Sequence, residues 1–331
     1  MPSNNKIPLI YILGSSRSGS TILELLLNAH PEIWATGEAE YLPWELKEPR
    51  KPCGCGSQIV DCPFWQQALP KVPIGKGSYP IEYFKNPNRA GKTLKIDLLP
   101  GLLLGKIGSR QQRAIKEYGV LNAEYFSTVK RTAEAQARVK LQWLVDSSKD
   151  LYRLHWLNRS GCFDIKVIYI VRDPRAFVYS KIARTGMDGP KGLAASGDRS
   201  ACNDAKWRGV IRQITAWMFQ NAIMSRMINS NFDSANIYRL QYEALAQEPN
   251  KILNEISQWL GVEFPENASL SFRHVENHAI SGNPSRWKAD SIRLNEVWRE
   301  KMPHSIAQTI WGITWPLRCK LGYRKNKQFS K

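Results

Sequence analysis

Ile7-Pro8-Leu9-Ile10-Tyr11-Ile12-Leu13 runs directly into Gly14-Ser15-Ser16-Arg17-Ser18-Gly19-Ser20-Thr21. The first seven residues form a short apolar run rich in strand formers, of the length that suits a buried parallel strand. Gly14 breaks it. Residues 20–29 then place Ile22, Leu23, Leu26 and Leu27 on one helical face and stop near His30-Pro31. Strand, glycine loop and helix in this order direct backbone N–H groups and the positive end of a helix dipole at one point, which attracts anions. The Gly-x-x-x-x-Gly spacing and Thr21 match a nucleoside-triphosphate loop, but Ser20 stands where that loop has its phosphate-reaching lysine. The missing lysine argues against an ATPase or kinase, and Arg17 suits a shorter anion.

Working outward, residues 142–145 read as a second strand ending in Asp146-Ser147-Ser148-Lys149, and residues 165–171 as a third ending in Arg172-Asp173-Pro174. Residues 236–240 read as a fourth. Helical patterns cover 110–140, the stretch from Pro174, 207–229, and the run through Leu260 to a stop at Gly261. Strands alternating with helices predict an α/β chain, a parallel β-sheet flanked by helices on both faces. Residues 72–92 and 186–203 read as loops or insertions. Residues 318–331 carry only basic charge and read as a solvated tail.

The chain has 331 residues, 43% hydrophobic and 23% charged, which excludes a low-complexity or disordered protein. No apolar run approaches the roughly 18–20 residues of a membrane span. The short apolar run at residues 7–13 lacks the marks of a signal peptide, so a cytoplasmic location is expected. A formal charge of +18 favours anionic partners without choosing among them. Cys53, Cys55 and Cys62 cluster in one turn. A zinc site needs a fourth donor, which no nearby His or Cys supplies at standard spacing, so the cluster reads as a structural turn, with zinc or a regulatory disulfide as the alternative.

A second anion signal comes from Arg172 at a strand end and Ser180 eight residues later on the following helix. The carboxyl ends of neighbouring parallel strands meet at one crevice, where an Arg fork and a hydroxyl suit a phosphate monoester. With both signals in view, the sequence resembles the sulfotransferases that use 3'-phosphoadenosine 5'-phosphosulfate (PAPS). Arg17-Ser18-Gly19-Ser20-Thr21 is similar to the family's 5'-phosphosulfate loop, and Val171-Arg172-Asp173-Pro174-Arg175 through Ser180 to its 3'-phosphate motif. Asn28-Ala29-His30-Pro31, Gln241-Tyr242-Glu243-Ala244-Leu245 with Trp259-Leu260-Gly261, and Gly282-Asn283-Pro284-Ser285-Arg286-Trp287 extend the likeness to about residue 287. The first half is most like the bacterial and tyrosyl-protein branch.

The resemblance implies a P-loop-like sulfotransferase fold as one domain over 1–331, with acceptor-side insertions at 66–140 and 186–203. It implies that Ser16, Arg17, Ser18, Gly19, Ser20, Thr21, Arg172, Ser180, Gly282, Asn283, Ser285, Arg286 and Trp287 hold PAPS or its product PAP. Glu38, in Ala35-Thr36-Gly37-Glu38, is the implied general base, with Glu40, a histidine or no strong base as the alternatives. Lys149 and Arg17 would act on the transferring group. No metal is implied for the reaction. His30 is expected at a helix end, meeting the last carbonyls, and His278 is a minor candidate for acceptor handling.

The expected reaction moves a sulfuryl group to a hydroxyl or amine of a small-molecule, lipid or glycan acceptor. A nucleotide kinase is the rival enzyme; it would need a metal-binding carboxylate after a strand, and Asp146 is the available one. A binder of anions or nucleic acid driven by charge alone is the third reading, although no nucleic-acid-binding motif is present.

Overall fold

The computed structural model describes residues 6–47, 51–71, 109–183, 199–287 and 292–324, with the backbone alone for 109–111, 199–206 and 285. Five strands, β1 (Ile7–Gly14), β2 (Ile33–Ala35), β3 (Trp143–Asp146), β4 (Phe163–Val171) and β5 (Ile237–Gln241), form one sheet in the order β2-β3-β1-β4-β5. Every pairing is parallel, with Tyr11 registered against Val167 and Asp146. Such a sheet is covered on both faces, which is why β1 and β4 are apolar almost throughout instead of alternating.

Successive residues point to opposite faces and build two cores. Leu9, Tyr11, Leu13, Leu144, Val167 and Tyr169 pack on one side. Ile10, Ile12, Val145, Ile168, Ile170 and Leu240 pack on the other. The first core receives α2 (Leu42–Lys47), α3 (Pro63–Ala68), α4 (Ser109–Ala137), α5 (Leu151–Ser160), α6 (Pro174–Ile182) and α7 (Arg199–Asn231). The second receives α1 (Ser20–Leu27), α8 (Tyr242–Gln247), α9 (Pro249–Leu260) and the short α10 (Ala268–Ser271). Three further helices, α11 (Val297–Lys301), α12 (His304–Ile313) and α13 (Trp315–Lys320), return to the first face.

The helices that follow β3 and β4 start where the sequence supplies caps. Asp150 accepts from the Tyr152 and Arg153 N–H groups at the head of α5. Asp173 accepts from the Arg175 N–H at the head of α6, with Pro174 in the first turn. These two caps fix the geometry just past the strand ends.

Several expectations need correction. β2 is only three residues long, too short to register as a strand in the sequence. The acceptor-side insertion expected at 66–140 contains α4, which is a core helix: Tyr118, Leu121, Tyr125, Phe126 and Val129 are buried on the sheet. The loop expected at 186–203 gives way to α7 at Arg199. The solvated basic tail begins as packed structure. Arg318 is buried over the Trp311 ring, 3.6 Å from its centroid, and donates to the Tyr323 carbonyl at 2.6 Å. The Tyr323 hydroxyl reaches Glu243 Oε2 at 2.7 Å and the Val171 carbonyl at 3.1 Å. Residues 72–108, 184–198 and 325–331, where the remaining loop and tail expectations fall, lie outside the described residues.

Candidate active site

At the carboxyl end of β1 the chain turns sharply into α1. Gly14 lies so close to β4 that a Cβ there would stand 2.5 Å from the Ile170 carbonyl oxygen. Gly19 has φ +90°, and a Cβ on it would meet the Tyr242 ring at 2.2 Å. Only glycine combines that backbone with that proximity. Arg17 also takes a left-handed backbone, φ 77°, which turns the loop back on itself. The first N–H groups of a helix have no intrahelical partner. Here they belong to a stretch, Gly19, Ser20 and Thr21, that lines a cavity of about 1500 Å³.

Arg172 joins the loop from the end of β4. Its Nη1 donates to the Arg17 carbonyl at 3.0 Å, and its guanidinium lies 4.8 Å from the centroid of the Tyr242 ring. Trp217 Nε1 donates to the Arg172 carbonyl at 3.1 Å, pinning the strand end to α7. The two anion signals of the sequence therefore form one wall. Ser180 does not line the cavity; its hydroxyl bonds to the Phe177 carbonyl of its own helix at 2.9 Å. The neighbouring Lys181 lines it instead, donating to Ser16 Oγ at 3.0 Å. Ser18 is buried beneath the loop and is also absent from the wall.

The opposite wall is built where β2 and β3 end. Gly37 and Glu38 are clamped between two segments: the Ser147 N–H donates to the Gly37 carbonyl at 2.9 Å, and the Glu38 N–H to the Ile280 carbonyl at 2.9 Å. Glu38 Oε1 meets Lys149 Nζ at 2.5 Å, each side chain about one-seventh exposed. Lys149 reaches it from a left-handed backbone, φ 64°. Glu40 is buried in the same wall, and its N–H donates to Ser148 Oγ at 3.2 Å. Burial, with the Glu40 and Glu38 charges adding to it, pushes the neighbouring Tyr41 phenol up to about 12.

The late loop closes the third side. The Asn283 N–H donates to Thr21 Oγ1 at 3.4 Å, so Gly282 and Asn283 line the cavity beside α1. Arg286 turns inward behind them. It is buried, donates to the Ala279 carbonyl at 2.9 Å, and brings Nη2 to 4.0 Å from Glu24 Oε2. Glu24 in turn accepts from Ser147 Oγ at 2.6 Å. Burial raises the Glu24 carboxyl above its ordinary value against the opposing pull of Arg286 and Ser147. Glu24 thus ties the glycine-loop helix, the end of β3 and the late loop together. Nothing in the local spacing marks it, since an acid among leucines becomes meaningful only once its distant partners are known. Trp287 is exposed and outside the wall, and the Ser285 side chain is not among those described.

The rest of the wall comes from α7 (Phe219, Gln220, Ile223, Met224) and from Leu151 and Tyr152. Cations outnumber carboxylates: Arg17, Lys51, Lys149, Arg172, Lys181, Arg273 and Arg293 face Glu38, Glu40 and Asp150. Part of the excess positive charge is therefore focused on one concave surface. Asp146 is not available to a metal ion there. It is fully buried, paired with Arg153 Nε at 2.8 Å and bonded to the Ser148 N–H at 2.9 Å.

The histidines sit elsewhere. The Glu32 N–H donates to His30 Nδ1 at 3.0 Å, so that ring accepts at Nδ1 instead of capping the helix carbonyls. His278 is buried outside the cavity, where it completes the donor set that the Cys53, Cys55 and Cys62 turn lacks locally.

Known proteins resemble the chain at the level of sequence and at the level of fold. The model of the sulfotransferase family matches residues 110–266. Among solved structures, the sulfotransferase domain of the Synechococcus PCC 7002 olefin synthase is 21% identical, covers 98% of this chain and 99% of its own, and superposes with a TM-score of 0.54. The sulfotransferase domain of the curacin biosynthetic pathway is 19% identical, over 97% of this chain and 100% of its own, with a TM-score of 0.47. Sulfotransferase STF9 from Mycobacterium avium is 14% identical, over 94% of this chain and 76% of its own, with a TM-score of 0.43. The middle of the chain thus matches the sulfotransferase family model, and the five-stranded parallel sheet with its strand–loop–helix corner is the fold of the olefin synthase's sulfotransferase domain.

Proposed function

We propose that the chain transfers a sulfuryl group from PAPS to a hydroxyl or amine of a small-molecule, lipid or glycan acceptor. One observation carries the reading: a single basic cavity joins the glycine loop to Arg172 and holds the Glu38–Lys149 pair in its opposite wall. The residues present fit the nucleotide. The Ser15 hydroxyl and Arg172 Nε are buried without a hydrogen-bond partner among the described residues, and such atoms call for a polar ligand. PAPS supplies the sulfuryl group and, on leaving, carries away the negative charge as PAP.

The residues then divide the work. The N–H groups of Gly19, Ser20 and Thr21, with Arg17 and Lys181, hold the 5' end; Arg172 holds the 3'-phosphate, and Gly282 and Asn283 close over the nucleotide. Arg286 acts from behind, as the strut under Gly282, and Ser180 and Trp287 are given no contact. Glu38 takes the acceptor's proton at its carboxylate. Lys149 orients that carboxylate and sets positive charge where negative charge develops. The apolar stripe of Phe219, Ile223 and Met224 suits an acceptor with an apolar body.

Calorimetry with PAP and with adenosine 5'-phosphate tests this. PAP is expected to bind saturably and to raise the melting temperature. Arg172→Ala should weaken PAP by about 10–100-fold, as the loss of a charge-assisted bond implies, and leave adenosine 5'-phosphate nearly unchanged. Absence of PAP binding by the wild-type chain, or equal losses for the two ligands, would overturn the assignment. With PAPS present, an acceptor is recognised by a mass gain of one sulfuryl group.

A further inference from the structure

We propose that Cys53, Cys55, Cys62 and His278 form a tetrahedral zinc site. Their ligand atoms all lie within 4.8 Å of one another. Cys53 Sγ is 3.6 Å and Cys55 Sγ 3.7 Å from Cys62 Sγ, while His278 Nδ1 is 3.2 Å from Cys62 Sγ and 3.8 Å from Cys53 Sγ. With zinc–sulfur bonds of about 2.3 Å and zinc–nitrogen bonds of about 2.0–2.1 Å, tetrahedral angles set sulfur–sulfur edges near ~3.8 Å and sulfur–nitrogen edges near ~3.6 Å. The two sulfur–sulfur edges fall just short of their value, and the two sulfur–nitrogen edges lie on either side of theirs. Packing of four unrelated side chains has no reason to give them.

The surroundings are built around the same donors. Cys53 and Cys55 are held in a tight turn, in which the Cys53 N–H donates to the Ser57 carbonyl and the Gly56 N–H to the Cys53 carbonyl, both at 2.8 Å. The His278 ring stacks on Phe64 at 4.9 Å, and Trp65 Nε1 donates to the His278 carbonyl at 3.0 Å. His278 Nε2 stands 3.0 Å from Glu276 Oε1, which leaves the Nδ1 lone pair facing the sulfurs. A carboxylate behind a histidine, fixing which nitrogen binds, is the recurrent outer shell of zinc sites. Three cysteines and one histidine, with no open position, describe a structural centre; it lies outside the cavity wall.

Its purpose follows from what it joins. The Gly54 N–H donates to the Ala279 carbonyl at 3.0 Å, and the next residue, Ile280, bonds both Thr36 and Glu38 before the chain enters Gly282. The ion would staple the turn at 53–62 to the segment that positions Glu38 and the late loop. Binding exchanges the thiol protons for the metal, so no oxidant or reductant is involved.

The full chain, purified without chelator from cells grown with zinc, is expected to hold about one zinc per molecule by mass spectrometry. Cobalt in its place should give the sulfur-to-metal charge-transfer bands and intense visible bands of a tetrahedral thiolate site. Glu276→Gln, a change at an exposed carboxylate that the fold tolerates, should weaken the metal by about 10–100-fold. Cys55→Ser, which leaves two thiolates, should weaken and shift the charge-transfer bands. Zinc below about 0.1 equivalent both as purified and after refolding with zinc would overturn the proposal. So would an unchanged cobalt spectrum in Cys55→Ser, or a Cys53–Cys62 disulfide in protein made in a reducing cytosol. These readouts are independent of sulfuryl transfer, so zinc binding without PAP binding would sink only the proposed activity, and the reverse only the metal.

Discussion

Glu38 and Lys149 stand on separate elements, and their contact depends on two backbone facts: the clamp on Gly37 and the left-handed turn at Lys149. Removing the carboxylate's basicity while keeping its shape isolates its role. Glu38→Gln is expected to lower kcat by about 10²–10⁴-fold, the range of general-base catalysis, with PAP affinity nearly unchanged in calorimetry. A matching loss of PAP affinity would reassign Glu38 to holding Lys149 in place. The strand-to-helix turn was legible because its spacing is local: eight consecutive residues state its two glycines and the missing lysine. Glu24, Lys181 and the buried contacts of Arg286 were opaque for the opposite reason. Each takes its meaning from a partner across the fold, as when Ser147 reaches Glu24 from 123 positions away. The zinc donors divide the same way, with three cysteines adjacent in sequence and His278 more than 200 residues beyond them.

Among the elements, the late loop is the one whose shape is most constrained. Gly282 has φ +96°, and a Cβ there would stand 2.0 Å from Arg286 Nη2. Arg286 is itself buried between Ala279 and Glu24, so it has little room to retreat. Gly282→Ala is expected to cost about 1–3 kcal/mol of stability, read by thermal or denaturant unfolding, and to weaken PAP because the loop no longer meets Thr21. A variant of wild-type stability and affinity would show that the loop relaxes freely. Strands β1 and β4 were readable from their unbroken apolar runs. The long α4 was readable as a helix but not by its use, because its buried Tyr118, Tyr125 and Phe126 lie on the sheet and its polar face resembles that of any solvated helix.

For the molecule as a whole, burial sets a pH limit. His155 lies in α5 against the first core, where desolvation, assisted by the Arg159 charge, lowers its pKa to about 4. The unfolded chain takes up that proton near the ordinary value of about 6.5, whereas the folded chain resists until about 4. Between those values the unfolded state binds more protons, so stability falls with falling pH, by up to about 3 kcal/mol in total. Unfolding midpoints measured across pH 4–7 should show this decline, and His155→Gln should flatten it. An identical slope in the variant would place the sensitivity elsewhere. At this scale the net charge of +18 is matched by a cavity lined with cations, but composition alone did not distinguish a basic tail from a basic cavity. The distinction came from Arg318, which a sequence shows as one more surface cation and the fold buries against tryptophan.

The strand order has a consequence for how the polypeptide is made. β1 is the central strand, yet its neighbours β3 and β4 are not complete until Asp146 and Val171. While the ribosome works through that interval, a sticky apolar ribbon waits without its lateral hydrogen bonds, the state in which strands self-associate. Nascent chains stopped before β4 should need a chaperone to stay dispersed, and those that have released it should not.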